Sequence, residues 1–333
     1  MWEVTNKIEV NDEAFFKKIS LGIKKDTYIQ IGNCFYHDFV YDKEFSTYTM
    51  LVTVYLDEDS NDSIILSKGL EAIQIPNAIL TFLTGYPIGI NHRYLGKKKH
   101  VYSRMTCTNS NNMNVIKISR FNQQYVTLNK NDKEVFERIV HTIAYADYMY
   151  YKIDCKDEAA FNSVKALEII SSKQWNEKYG NELDKKRKKI YASIVNEFEQ
   201  KLKTEKDNLY SSFFGLCIND SNVKGVKGKL EEIIKNTNED VPLIYKLNCV
   251  VRDFKCSKKY PLEILKDLVK FRNDFAHGNI VEYNNNDFDM VYSKARYLAS
   301  ELISQIFFNI SYSKLHLKLK IEYYSTVKIR NKN

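Results

Sequence analysis

The chain has 333 residues, of which 44% are hydrophobic and 28% charged, a balance typical of a folded globular protein. Its 50 Lys and Arg against 42 Asp and Glu give a net charge of +8, which permits binding to RNA or DNA without requiring it. The sequence shows no apolar signal core at its start and no run of about 18 apolar residues, so we expect a cytoplasmic protein that does not insert into a membrane. Six scattered cysteines without a C-x2-C pair predict free thiols and no metal site.

Residues 1–130 are predicted to form a β-rich domain, because short β-branched and aromatic runs alternate there with turns rich in Asp, Asn and Ser. The predicted strands are 27–31, 48–56, 63–66, 114–119 and 124–128. Residues 69–83 are ambiguous and could hold a short helix. The basic stretch from Arg93 to His100 is predicted to be a solvated loop.

Residues 131–333 are predicted to form an all-α bundle, so the fold class is α+β. Asn131 offers a helix cap, and apolar residues then recur at helical spacing. Further helices are predicted at about 157–175, 183–206, 223–236, 241–255, 261–277 and 287–312. The helix at 261–277 has Pro261 in its first turn, a broad apolar face, and Gly278 as its stop.

The run Arg272-Asn273-Asp274-Phe275-Ala276-His277 at the end of that helix is the candidate functional motif. An Arg followed by a His at this spacing is weak by itself, and Arg93 with His100 is a chance pair of similar spacing. The setting of Arg272 and His277 is more specific, because a polar residue follows the Arg, a Gly follows the His, and the run closes an amphipathic helix.

These features resemble the HEPN superfamily, whose active members carry Arg, four to six residues and His, with a polar residue after the Arg. Residues 161–170 also resemble an early bundle helix of that family, and a β-rich domain before the bundle is similar to the arrangement in ApeA-type anti-phage proteins. The resemblance covers roughly residues 150–312. It implies a HEPN-like bundle, a homodimer, and a ribonuclease that acts in abortive infection or as a toxin.

Metal-independent cleavage of RNA suits this pair of side chains. An imidazole with a pKa near neutrality can take the proton from the ribose 2′-OH, and a guanidinium can stabilise the charge that develops on the attacked phosphate. The expected products are a 2′,3′-cyclic phosphate and a 5′-OH. On a straight helix, Arg272 and His277 lie about 140° apart, so two copies of the helix would have to share one cleft.

Three further residues are candidates for supporting roles. Asn273 could orient Arg272 or contact the phosphate, Asp274 could hold the His277 imidazole, and Glu168 could brace Arg272 by an ion pair. Each also has a plain structural interpretation: Arg272 would pair with a carboxylate on its own helix surface, and His277 would interact with the helix C-terminus.

Two basic stretches are candidate RNA contacts, although charge runs are usually only solvated surface. One is residues 184–189, and the other comprises Lys255, Lys258 and Lys259 just before the motif helix.

No phosphate-binding loop or zinc-peptidase motif is present, so we predict no cofactor. The predicted partners are RNA, with tRNA as one candidate, a second copy of the chain, and either a phage-derived trigger or a cognate antitoxin. The alternative function is a non-catalytic HEPN-type module for dimerisation, RNA binding or protein binding.

Overall fold

In the computed structural model the described residues are 2–10, 28–42, 47–56, 62–88, 92–99, 113–180, 241–279 and 283–315. Isolated positions at 189, 193, 194, 196, 197, 200 and 228 are also described, and all of them are helical. The predicted helices at 183–206 and 223–236 otherwise lie outside this part of the chain. Among the described residues, no helix combines the length and the apolar character needed to cross a lipid bilayer.

The fold is α+β, with a small antiparallel sheet near the N-terminus and a mostly helical remainder. The strands are β1 (Trp2–Val10), β2 (Ile29–Ile31), β3 (Cys34–Asp42), β4 (Thr47–Leu56) and β5 (His92–Lys99), in the spatial order β2-β3-β4-β1-β5. The helices are α1 (Asp62–Thr84), α2 (Met113–Val126), α3 (Lys130–Tyr148), α4 (Lys156–Trp175), α5 (Leu243–Asp253), α6 (Leu262–Ala276), α7 (Asn285–Phe308) and α8 (Tyr312–Leu315). Two π-helical turns, Met149–Ile153 and Asn176–Gly180, follow α3 and α4.

Helix α1 packs on one face of the sheet. On β1 the buried residues Val4, Asn6 and Ile8 alternate with half-buried neighbours, as expected for a strand with one covered face. Gly69 of α1 lies against Val4 so closely that a Cβ on the glycine would come within 2.7 Å of the valine Cγ1. The Tyr36 hydroxyl of β3 donates a hydrogen bond of 2.8 Å to the Asn77 side-chain oxygen of α1, which fixes the helix over the sheet.

Several predictions for the first 130 residues were wrong. Residues 63–66 belong to α1, because Ile65 and Ile73 continue a helical stripe that the short run conceals. Residues 114–119 and 124–128 fall in or at the end of α2, where the buried Ile118, Phe121 and Tyr125 recur every three to four residues. Most of the segment from Arg93 to His100 is the edge strand β5 rather than a loop. The strands at 29–31 and 47–56 confirm two of the predicted strands.

The helices of the second half largely follow the prediction. Every end of helices α4, α5, α6 and α7 lies within four residues of the predicted limit, and for α4 and α6 within one. The predicted cap at Asn131 was wrong, since α3 begins one residue earlier, at Lys130. There the Asn129 side chain accepts a hydrogen bond of 2.9 Å from the Asp132 backbone N–H.

The chain forms two compact units, Met1–Ile170 with Asp267–Asn333, and Ser171–Lys266. Within the first unit, an aromatic cluster joins α1, α2, α3 and α7, with ring centroids 4.8–6.4 Å apart. Its members are Phe82, Phe121, Phe136 and Phe308. The predicted boundary at residue 130 falls inside this unit, and the division into a β-rich domain and a HEPN-like bundle stays a prediction.

A buried ion pair lies in the same unit. Arg296 of α7 donates through Nε and Nη2 to the Asp147 carboxylate of α3 at 2.9 Å, and the Tyr292 hydroxyl donates to that carboxylate at 2.7 Å. The Arg296 guanidinium also donates to the Ser300 hydroxyl. Burial by itself lowers the pKa of Arg296, but the charge and hydrogen bonds of Asp147, together with Tyr312 and Tyr292, more than offset this and hold that pKa well above its usual range.

Candidate functional site

The end of helix α6 is defined by its hydrogen bonds. Gly278 has a φ of +75°, its N–H donates to the Phe275 carbonyl at 3.1 Å, and the Asn279 N–H donates to the Asp274 carbonyl at 2.7 Å. This pair of bonds is the Schellman arrangement, in which a glycine reverses the chain and satisfies the last carbonyls of the helix. His277 is therefore the C-cap residue, and its side chain is exposed.

Arg272 lies in the last full turn of α6 and is held on two sides. Its Nε and Nη2 atoms donate to the two carboxylate oxygens of Glu168 on α4, at 3.2 and 3.0 Å. Its Nη1 atom donates to the Asn273 side-chain oxygen at 3.2 Å. The ion pair considered from the sequence is thus present, with the partner on another helix rather than on the surface of α6.

The ion pair of Arg272 and Glu168 is accessible to solvent. The Arg272 and Glu168 side chains are 32% and 36% exposed, so solvent reaches both groups. A guanidinium has five N–H groups, and these three bonds leave one N–H on each terminal nitrogen. Arg272 therefore has a fixed orientation and keeps two donors for an incoming anion.

Asp274, which was considered both as a holder of the His277 imidazole and as a plain surface carboxylate, has a partner that the sequence analysis did not name. Its carboxylate accepts a hydrogen bond of 2.7 Å from the Tyr283 hydroxyl, which lies just before α7. The Tyr283 ring meets the buried Phe271 of α6 edge to face, with centroids 5.2 Å apart. Asp274 and Tyr283 thereby tie the chain after His277 back onto α6. The sequence analysis missed Tyr283, because a single aromatic residue before a helix cap carries no distinctive pattern.

Helices α4 and α6 meet again near their aromatic residues. The Phe161 ring stacks on the Phe275 ring, with centroids 4.4 Å apart and an interplanar angle of 19°. Together with the bond between Glu168 and Arg272, this stacking holds the last turn of α6 against α4 at two points. The side chain of Arg272 is thus positioned by its own bonds to Glu168 and by this stacking three residues further along α6.

The three lysines predicted to contact RNA belong to the second unit. Lys255, Lys258 and Lys259 are all exposed in the turn that follows α5. Lys255 has a φ of +56° and occupies the reversal position of a second Schellman turn, in which the Cys256 N–H donates to the Val251 carbonyl at 2.8 Å. Of the basic stretch at 184–189, only Lys189 is described, and it is exposed.

In the described part of the chain, His, Cys, Asp and Glu side chains form no group of three or more that could hold a metal ion. Comparison of the chain with protein-family models, with curated proteins and with solved structures found no match.

Proposed function

We propose that the chain is a metal-independent endoribonuclease with Arg272 and His277 as its catalytic residues. The observation that carries the proposal is the anchored guanidinium of Arg272 beside an exposed histidine at the same helix end. A ribonuclease of this type needs a cation with fixed orientation for the phosphate and an accessible imidazole for proton transfer. Both are present in the six-residue run that resembles the HEPN motif.

In this mechanism His277 takes the proton from a ribose 2′-OH, whose oxygen attacks the adjacent phosphorus. The two free N–H groups of Arg272 donate to the phosphate oxygens and stabilise the charge that builds on them. Glu168 and Asn273 act as positioning residues that hold the guanidinium still. A second imidazole then protonates the leaving 5′ oxygen, which gives a 2′,3′-cyclic phosphate and a 5′-OH.

The second imidazole is expected from a second copy of the chain. Helix α6 is regular through Ala276, and the His277 N–H still donates to the Asn273 carbonyl at 3.0 Å, so the helical path continues to His277. The offset of about 140° between Arg272 and His277 therefore remains. A homodimer that pairs two α6 ends would bring two arginines and two histidines to one cleft.

The proposed role is that of an effector in anti-phage defence by abortive infection, or of a toxin. The region containing the β-sheet would sense a phage-derived trigger or restrain the nuclease, and an antitoxin would replace that restraint in the toxin case. The RNA substrate would be host RNA, with tRNA as one candidate.

Purified wild type, Arg272→Ala and His277→Ala provide the test, with RNA cleavage measured in excess EDTA. We expect wild type to cut tRNA or total RNA to 2′,3′-cyclic phosphate and 5′-OH ends, and both variants to lose at least about 100-fold in rate. Arg138→Ala and His141→Ala are matched controls, because both residues are exposed and belong to α3 rather than to the motif helix. Equal activity of wild type and His277→Ala, with phage extract added to supply a trigger, would contradict the proposal.

A second candidate function is a non-catalytic module in which the same residues have a structural role. It is favoured by one observation, that Glu168 and Asn273 already take three of the five donors of Arg272. This hypothesis predicts that Arg272→Ala and His277→Ala preserve phage protection, while substitutions in the buried face of α6 abolish it. Phage challenge of the same variants in cells distinguishes the two functions.

A further inference from the structure

Helix α4 presents a lysine between its two contacts with α6. Phe161, Lys165 and Glu168 are spaced four and three residues apart, which places them on one face of the helix. Phe161 stacks on Phe275 and Glu168 pairs with Arg272, so this face is the one turned toward α6. Lys165 nevertheless remains exposed, and its side chain forms no ion pair or hydrogen bond with any other described residue.

The end of α6 beside Arg272 is exposed to solvent. Ala276 lies four residues after Arg272 and therefore on the same side of α6, and it is exposed. The side chain of Ala276 is only a methyl group, and the Arg272 side chain is 32% exposed. A group that binds the two free N–H donors of Arg272 can thus lie within reach of the long, flexible Lys165 side chain.

The charge at the site requires a second cation. Glu168 neutralises Arg272, so the ion pair alone offers no net positive charge to a phosphodiester. Lys270 is also exposed, but it precedes Arg272 by two residues and points about 160° away around α6. Among the lysines of α4, Lys165 is the exposed one, and it shares a helix face with Glu168, which anchors Arg272.

We propose that Lys165 is a second phosphate-binding residue of the Arg272 site and contacts the RNA backbone there. The inference rests on the proposed ribonuclease function and extends it to a residue outside the motif. Lys165 would supply the net charge that Glu168 removes, while Arg272 supplies the fixed, directional hydrogen bonds. The recognised group is the phosphodiester, so the contact is independent of base sequence.

The test measures RNA affinity in a His277→Ala background, in which the RNA stays intact. Binding of fluorescent bulk tRNA is measured between about 50 and 200 mM salt for this parent protein, which keeps Lys165, and for the same protein with Lys165→Gln. We expect Lys165→Gln to bind about fivefold or more weakly at low salt. We also expect the slope of log affinity against log salt to become shallower by about 0.7–0.9, the value for one lost phosphate contact. Lys165→Arg should restore both quantities, since it keeps the charge.

Lys130→Gln is the matched control, because Lys130 is also an exposed helix lysine whose side chain forms no bond with another described residue. It should leave affinity and slope unchanged, and all variants should unfold at the same temperature as the parent. If the parent binds tRNA and Lys165→Gln behaves like Lys130→Gln, the inference fails while the proposed function stands. If the parent binds no RNA and wild type cuts none, both fail together.

Discussion

Two arginine–carboxylate pairs in the first unit have opposite energetic characters. The pair of Arg272 and Glu168 is about one-third exposed, whereas Asp147 is 1% exposed and Arg296 is 10% exposed. An exposed ion pair contributes little to stability because water screens both charges. A buried pair is costly to break, since the remaining charge cannot be solvated. The pair of Arg272 and Glu168 is thus accessible to a ligand, and the pair of Arg296 and Asp147 holds helices α7 and α3 together.

Glu168→Gln tests the positioning of Arg272. The amide keeps the shape of the side chain but removes the charge that fixes the guanidinium, so we expect RNA cleavage to fall about 10- to 100-fold. The free energy of unfolding should change by less than about 1 kcal/mol. Cleavage rates and urea unfolding of the same preparations give both quantities. A large loss of stability together with unchanged cleavage would assign Glu168 a purely structural role.

Asp147→Ala is the complementary change at the buried pair. It leaves the Arg296 guanidinium without its counter-charge in the interior, so we expect a loss of about 3–5 kcal/mol in the free energy of unfolding. Urea unfolding followed by circular dichroism measures this loss. Asp287→Ala serves as the comparison, because it removes a carboxylate from the capping box of α7 but leaves no buried charge unpaired. A loss of under about 1 kcal/mol would mean that Arg296 finds another partner when Asp147 is removed.

At the scale of secondary structure, two helices end in the same kind of turn with different residues. Gly278 ends α6 with a φ of +75°, and Lys255 follows α5 with a φ of +56°. Glycine adopts this left-handed conformation without strain, while any residue with a Cβ loses about 1–2 kcal/mol there. The end of α6 is therefore relaxed, and the end of α5 is strained.

The two turns predict stability changes of opposite sign. Gly278→Ala should destabilise the protein by about 1 kcal/mol from backbone strain alone, because nothing lies within 4 Å of the added Cβ. Lys255→Gly should stabilise it by about 0.5–1 kcal/mol. Thermal unfolding of each variant beside wild type measures both changes. Equal shifts for Lys255→Gly and Lys255→Ala would show that loss of charge, rather than relief of strain, is the cause.

The sequence was most informative where an element is long. Helices α4 and α6 are 20 and 15 residues in length, so their apolar stripes repeat several times and their limits were predicted within one residue. The short run at Ile64, Ile65 and Leu66 fits a strand and a helix equally well. Only the apolar residues that recur at helical spacing through the rest of α1 show that this run belongs to a helix.

The sequence analysis missed three strands, β1, β3 and β5, and for β1 and β5 the residues themselves show why. On β1, a fully buried Asn6 occupies a position where an apolar residue would have revealed the alternation. Strand β5 lies at the edge of the sheet and contains three consecutive lysines, Lys97 to Lys99. Charged residues protect an exposed edge from pairing with other strands, and in the sequence they resemble a solvated loop.

The candidate site was predictable from the sequence only where its residues are close together along the chain. Arg272, Asn273 and His277 lie close together in sequence, so their spacing was informative. Tyr283 was missed, and Glu168 was only one of several candidate partners for Arg272, because both act through contacts with α6 that depend on tertiary packing. Such contacts leave no local pattern in the chain.

At the scale of the whole molecule, buried tyrosines make the folded state sensitive to alkaline pH. Burial raises the pKa of Tyr292 well above 10.0, and the nearby Asp147 charge raises it further. Burial also raises the pKa of Tyr36 in the sheet well above that value. These hydroxyls stay protonated in the folded chain but ionise near pH 10 once the chain unfolds. Their contribution is complete below pH 10 and is lost as the pH rises above it.

We therefore expect the free energy of unfolding to fall above about pH 10, by roughly 1.4 kcal/mol per pH unit for each such tyrosine. Urea unfolding between about pH 8 and pH 11 measures the slope. Tyr292→Phe should reduce this slope, although it also weakens the protein at neutral pH by removing a hydrogen bond to Asp147. Tyr297→Phe, an exposed change on the same helix, should leave the slope as it is in wild type.

The first unit consists of two stretches of chain, and this fixes when the candidate site can form during translation. Glu168 and Arg272 are 104 residues apart, and the second unit is synthesised between them. At about 5–20 residues per second, a ribosome takes roughly 5–20 s to advance from one to the other. A nascent chain therefore carries Glu168 without its arginine for that interval. A nuclease that cuts the RNA of its own cell would thus be made in a form that lacks its phosphate-binding group until most of the chain has been synthesised.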